Sequence, residues 1–247
     1  MTTNLLAGER ALVTGCGGGI GRGIAMALKA EGATVLGSDI KAPPAEDGID
    51  FLAGDLGQRD GWRTLLDGAL KRLGSISLFV HAASPRRLES DTPLSVSEET
   101  WDAMTGVNLR AGFFLAREVG RHMVERGTRG RILLVSSQHR DTARNLPHYS
   151  ASKAGMTMVM KELARVLAPN GIRVNAIAPG AIPGGGFVAG NLGDLVAQIP
   201  LGRPGTPDDI AQMAVAVLSE RFGRYVVGTT VEVDGGLGLI SWIPAKA

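Results

Sequence analysis

Short apolar runs alternate along the chain with longer stretches whose apolar positions recur every three or four residues. The runs at 11–14, 34–37, 51–53, 78–81, 132–136, 173–177 and 230–233 are mostly rich in Val, Ile and Leu and lack strict alternation. Strands covered on both faces read this way. Between them, Ile20, Ile24, Ala25 and Leu28 fall on one helical face, as do Leu109, Phe113, Ala116 and Val119. Strand and helix alternating at this pitch predict an α/β fold. It is a doubly wound parallel sheet of about seven strands with helices on both faces. Neither a repeat nor a linker interrupts the pattern, so residues 1–247 are expected to form one domain. The glycine-rich stretch 181–191 is expected at the surface, and a short lid is expected near 184–199.

Bulk properties narrow the classes. The 247 residues are 44% hydrophobic and 20% charged, a globular balance. A formal net charge of +2 gives no field for nucleic acid or acidic lipid, and neither is an expected partner. Cys16 is the one cysteine, so no intrachain disulfide framework exists. No leader-like basic and apolar N-terminus is read, and no apolar run spans a bilayer. A cytoplasmic location is the expectation. No metal site is expected.

Thr14-Gly15-Cys16-Gly17-Gly18-Gly19-Ile20-Gly21 follows the first strand and opens the first helix. Glycines there let the backbone turn tightly and approach a pyrophosphate, which the helix N-terminus meets with free N–H donors. Asp39 closes the second strand at about the ~20-residue spacing of a ribose-binding acid. Its carboxylate would accept from ribose hydroxyls and repel a 2′-phosphate. NAD is therefore expected over NADP, with Lys41 and Arg22 as the nearby cations that count against this.

Tyr149 and Lys153 stand four residues apart, on one face of a helix. A neighbouring ammonium stabilises a phenolate, which can then exchange the proton of an alcohol. Ser136 and Ser137 end a strand shortly before, where a hydroxyl could hold a substrate oxygen. Asn108 lies on a preceding helix, where a buried amide needs partners.

In this order the motifs resemble those of the short-chain dehydrogenases/reductases of the single-domain branch, which have a Rossmann-like fold. The likeness runs from Ala11 to Gly236. It rests on residues 14–21, Gly54-Asp55-Leu56, Val107-Asn108-Leu109, Ser136-Ser137, Tyr149 with Lys153, 174–180 and 233–236. The resemblance implies an NAD-dependent oxidoreductase that interconverts a secondary alcohol and a ketone. Tyr149 would be the general acid/base, and Lys153 would stabilise its phenolate and bind the nicotinamide ribose. Ser137 would polarise the substrate oxygen, and Asn108 would hold a relay water. Gly15, Gly18, Gly19, Ile20, Gly21, Asp39, Asp55, Leu56, Ala82, Ala83, Pro179, Gly180 and Ile182 would contact the cofactor. A 3-oxoacyl or other carbonyl reductase is the alternative, and a non-catalytic dinucleotide-binding protein the alternative of another class.

Two departures stand out. His81-Ala82-Ala83-Ser84 replaces the family's Asn-Asn-Ala-Gly. The serine-to-tyrosine interval is one residue short if Ser137 acts. Counting back from Tyr149 selects Ser136, and counting from Arg131 along the strand selects Ser137. A loop deletion is cheaper than a register shift, so Ser137 is preferred.

Arg86, Arg87, His139, Arg140, Arg144 and His148 fall in loops at the carboxyl ends of the fourth and fifth strands. Such a rim suits a sugar, a polyol or a hydroxy/oxo acid. The apolar stretch 237–243 is expected at a subunit interface, and the resemblance implies a homotetramer or homodimer.

Overall fold

The computed structural model describes residues 4–183 and 196–239. Seven strands form one parallel sheet: β1 (Arg10–Thr14), β2 (Thr34–Asp39), β3 (Asp50–Ala53), β4 (Leu78–His81), β5 (Arg131–Val135), β6 (Arg173–Pro179) and β7 (Thr230–Val233). Their spatial order is β3-β2-β1-β4-β5-β6-β7. Every residue of β4, β5 and β6 is buried, which explains why they are mostly apolar without strict alternation.

Helices cover both faces. On one side α2 (Gly61–Leu73), α4 (Gly112–Glu125) and α5 (Pro147–Leu167) bury Leu65, Leu115, Val119, Met160 and Leu163 against the sheet. On the other, α1 (Gly19–Ala30) and α6 (Pro207–Leu218) bury Ile24, Leu28, Ala211 and Val215. The short helices α3 (Glu98–Thr105) and α7 (Glu220–Gly223) complete the set among the described residues.

The chain order of strands reverses between β1 and β4. A crevice opens there beyond the carboxyl ends, and loops from both halves line it. β5 ends at Val135, so Ser136 and Ser137 follow the strand instead of closing it. The Ser136 N–H still donates to the Ile177 carbonyl at 2.7 Å, which prolongs the ladder by one residue.

Asn108 does not sit on an ordinary α-helix. Residues Gly106–Ala111 form a wider π-helical turn between α3 and α4. The wider turn changes the helical phase: of the face expected from periodicity, Ala116 and Val119 are buried, Leu109 and Phe113 are only partly so, and Leu115 joins the buried stripe in their place. Leu109 faces Gly155 of α5.

The expected lid lies mostly outside the described residues, as does the stretch after 239. Residues 196–199 and 237–239 at their edges are described. Ile199 is buried, and Leu237 is buried within the chain itself, where it lines the crevice. Leu239 of the same stretch is 78% exposed, so of the described residues expected at a subunit interface Leu237 alone is seen to be covered from within.

Candidate active site

The crevice is a cavity of about 1090 Å³. One end is walled by Gly15, Gly18, Gly19, Ile20, Gly21, Asp39, Asp55 and Leu56. Ala82, Ala83, Pro179, Gly180 and Ile182 line it further along, and Ser136, Ser137, Tyr149 and Lys153 line the far end. All the cofactor contacts expected from the sequence thus meet in one space.

At the glycine turn the backbone comes very close to its neighbours. Gly15 has φ +76°, and a Cβ there would lie 2.6 Å from the Ala82 carbonyl carbon and the Ala83 nitrogen. Gly18 is the N-cap of α1 and offers no side chain to the first N–H groups, and a Cβ on it would meet nothing within 4 Å. An uncapped helix start facing open space is an anion site in waiting. Asp39 stands beside it. Its carboxylate accepts from the Gly17 N–H at 3.1 Å and from the Lys41 N–H at 3.3 Å. The Arg22 guanidinium does not turn toward it, because two hydrogen bonds of 2.5 and 2.7 Å commit it to Asp47.

At the far end, α5 carries Tyr149 and Lys153 as the i,i+4 spacing requires. The Lys153 ammonium lies 5.5 Å from the Tyr149 ring centre and donates to the Val135 carbonyl at 2.8 Å. Burial pushes its pKa down to about 7, with Arg87 adding repulsion. The two serines differ. The Ser136 hydroxyl pairs with Thr157 Oγ1 at 2.9 Å and lies 3.3 Å from the Lys153 carbonyl, both on α5. The Ser137 hydroxyl oxygen accepts only from the His139 N–H, at 3.2 Å, among the described residues. Its proton is left to donate. Asn108 is fully buried beside the cavity, not on its wall. Its amide donates to Ser152 Oγ at 2.9 Å, and that hydroxyl donates to the Tyr149 carbonyl at 2.8 Å. The wide turn is thereby fastened to the helix that carries the tyrosine. Asn108 Oδ1 is buried without a hydrogen-bond partner among the described residues.

Comparison with known proteins agrees with this arrangement. A family model described as "Enoyl-(Acyl carrier protein) reductase" matches residues 15–238. The chain belongs to the short-chain dehydrogenase/reductase family. Among its relatives, the 2-dehydro-3-deoxy-D-gluconate 5-dehydrogenase of Escherichia coli (strain K12) is 32% identical over 94% of this chain and 96% of its own. The (3R)-3-hydroxyacyl-CoA dehydrogenase of Homo sapiens is 32% identical over 95% and 97%. A solved structure of 3-ketoacyl-(acyl-carrier-protein) reductase from Brucella melitensis, complexed with NADH, has a TM-score of 0.85 at 30% identity and covers 94% of this chain and 99% of its own. The chain is an oxidoreductase for the interconversion of secondary alcohols and ketones, and its cofactor is a nicotinamide dinucleotide. The open, uncapped glycine turn fits such a group.

The family's asparagine contacts after β4 are replaced here. His81 is fully buried and its Nδ1 lies 3.0 Å from Thr14 Oγ1. Burial, followed by repulsion from Lys153, holds its pKa down to about 3, so the ring is neutral. A Cβ on Gly112 would come within 2.8 Å of His81 Cδ2, which shows how closely α4 rests on the ring. The Ala82 and Ala83 N–H groups donate to Thr14 Oγ1 at 3.3 and 3.4 Å and keep this segment along the cavity. Cys16 is buried against β2, and its thiol is pushed up to about 12 by burial and by Asp39. A protonated, enclosed thiol has no nucleophilic role.

The basic residues noted in the sequence sort into two groups. Arg86, Arg87, His139 and Arg144 line the cavity. Arg140 is held by Glu232 at 2.5 Å and Asp141 at 3.1 Å, and His148 is buried away from the cavity wall. Wall residues such as Ile40, Glu89, Asn145 and Leu237 escaped the sequence reading, because only the tertiary fold brings them to the cavity.

Proposed function

We propose that the protein is an NAD-preferring dehydrogenase/reductase acting on a small, polar secondary alcohol or its ketone. The observation that carries this reading is a single cavity with an uncapped glycine turn and Asp39 at one end and Tyr149, Lys153 and Ser137 at the other. Gly15, Gly18, Gly19, Ile20 and Gly21 hold the pyrophosphate, and Asp39 accepts from the adenosine ribose. Asp55 and Leu56 flank the adenine. Ala82, Ala83, Pro179, Gly180 and Ile182 flank the nicotinamide half. The cofactor supplies one property, the ability to take or give a hydride at the carbinol carbon.

The chain's own residues manage the proton. Ser137 Oγ–H donates to the substrate oxygen, since Ser136 is engaged by α5. Tyr149 Oη takes the hydroxyl proton during oxidation and returns it during reduction. Lys153 stabilises the phenolate and binds ribose hydroxyls. Asn108 holds a relay water through its buried Oδ1.

Exposed Trp101 on α3 and exposed Met158 and Val166 on α5 support a homodimer or homotetramer. The single cysteine suits a cytoplasmic location. Among the described residues no helix is long and apolar enough to cross a membrane. Incubation with NAD and a panel of sugars, polyols, hydroxy acids and hydroxyacyl thioesters, followed by cofactor absorbance, tests the reading. Turnover of at least one secondary alcohol supports it. Tight NAD binding without turnover of any member favours a non-catalytic binder.

A further inference from the structure

The end of the cavity around Tyr149 holds more positive charge than proton transfer needs. Arg87 lies over the Tyr149 ring, with its guanidinium carbon 4.9 Å from the ring centre. His139 meets the same ring edge-on at 5.1 Å. Arg144 lines the same wall, and its Nε and Nη2 are buried with no hydrogen-bond partner among the described residues. Lys153 is a third basic group at this end, and exposed Arg86 adds a fourth at the wall.

The opposing charge is slight. Glu89 is the one carboxylate on this part of the wall among the described residues. Its side chain is 70% exposed and lies 3.7 Å from Arg87 Nε. Arg140, which Glu232 and Asp141 neutralise, shows how the same loop treats an arginine with a structural partner. Arg144 has none. Arg144 is half-buried, and its two enclosed nitrogens, Nε and Nη2, cost free energy unless a ligand meets them. A planar fork of donors matches a carboxylate.

The electrostatics of the neighbours report the same convergence. The His139 pKa is pushed down to about 3, first by burial and then by Arg87, Arg144 and Lys153. Both guanidiniums therefore act on one imidazole that touches the tyrosine ring. An anion placed between them would lie close to the reacting carbon.

We propose that this end of the cavity is a carboxylate site, with Arg144 as the main anchor and Arg87 beside it, and that the substrate is a short hydroxy acid or the matching oxo acid. The inference rests on the dehydrogenase reading above and names its substrate class. In the oxidative direction the carbinol C–H bond breaks and its hydride passes to NAD. The hydroxyl proton passes to Tyr149, the C=O bond forms, and the carboxylate is unchanged. An alcohol whose charge is remote from the carbinol, such as a long acyl thioester, gains nothing from Arg144. A neutral polyol gains only hydrogen bonds.

The test uses enzyme saturated with NAD, which cannot reduce a ketone, so binding is read without turnover. Acetoacetate, pyruvate and oxaloacetate are titrated calorimetrically against the methyl esters of the same acids. At least one acid is expected to bind roughly ten- to hundred-fold more tightly than its ester, the size of a hydrogen-bonded charge contact. Arg144→Met is expected to erase that preference while NAD binding stays intact, and Arg144→Lys to restore part of it. Equal binding of acids and esters, no binding of any acid, or a preference that survives Arg144→Met would overturn the proposal. The two readings fail separately. Turnover of a neutral polyol with no response to acids removes the carboxylate site and leaves the dehydrogenase. Acid binding that depends on Arg144, with no turnover of any alcohol, leaves the site and removes the dehydrogenase.

Discussion

The hydroxyl oxygens of Ser136 and Thr157 lie 2.9 Å apart, which ties the residue after β5 to the helix that carries Tyr149 and Lys153. This contact distinguishes two adjacent serines that the sequence presents as equals. Ser136→Ala is expected to cost about 1 kcal/mol of stability and to leave most turnover, through loss of one buried hydrogen bond. Ser137→Ala is expected to lower kcat/KM by roughly a hundredfold, in the range of a lost oxyanion-type donor. Thermal melts and steady-state rates of the two variants check both statements. A larger rate loss for Ser136→Ala would reverse the assignment.

Asp39 is fixed by two backbone N–H groups, and Arg22 is engaged elsewhere. Wild-type enzyme is therefore expected to bind NAD more tightly than NADP. Asp39→Ala is expected to shift the ratio of dissociation constants by at least about tenfold toward NADP, because like charges no longer meet. Fluorescence titration with both cofactors measures it. A clear preference of the wild type for NADP would mean that Lys41 captures the 2′-phosphate.

Lys153 gives a pH signature to stability. Its pKa is 10.5 in the unfolded chain and about 7 in the fold. Between those values the unfolded chain binds more protons, so stability rises with pH in that window. Below about 7 both states are charged and the full burial penalty is present. Cofactor-free wild type is expected to gain stability relative to Lys153→Met as pH rises from about 7 toward 10.5. The lost bond to Val135 shifts the variant by a pH-independent amount, so the slope is the readout. Parallel stability curves would mean that Lys153 remains protonated across the window.

His81 and Gly112 are fitted to each other. Gly112→Ala is expected to destabilise by about 1–3 kcal/mol through overpacking on the imidazole. The smaller side chain of His81→Ala is expected to make the same Gly112→Ala change nearly harmless. Denaturant titration of the double-mutant cycle measures the coupling. Additive effects would show that the ring gives way.

The sheet was legible because β4, β5 and β6 are buried along their whole length and so are mostly apolar without strict alternation. The glycine turn, Asp39, Tyr149 and Lys153 were legible because each has a local spacing with a physical reason. Asn108 was not fully so. Its wide turn depends on contacts with Met104 and Ser152, the second of them 44 residues away, and periodicity in a single segment cannot register it. The six basic loop residues looked alike in sequence. Only tertiary pairing separates Arg140, which Glu232 neutralises, from Arg144, which stays open to the cavity. An apolar run such as 237–239 does not reveal in sequence which of its residues the chain covers: Leu237 is buried and Leu239 is exposed.

The central claim is that Tyr149 moves the substrate proton at a site where the cofactor binds independently of it. Turnover and NAD affinity of Tyr149→Phe, measured on one preparation with a substrate that the wild type accepts, test this most directly. The account predicts a loss of turnover of at least about a hundredfold with an NAD dissociation constant within a few-fold of wild type. Undiminished turnover in that variant would contradict it.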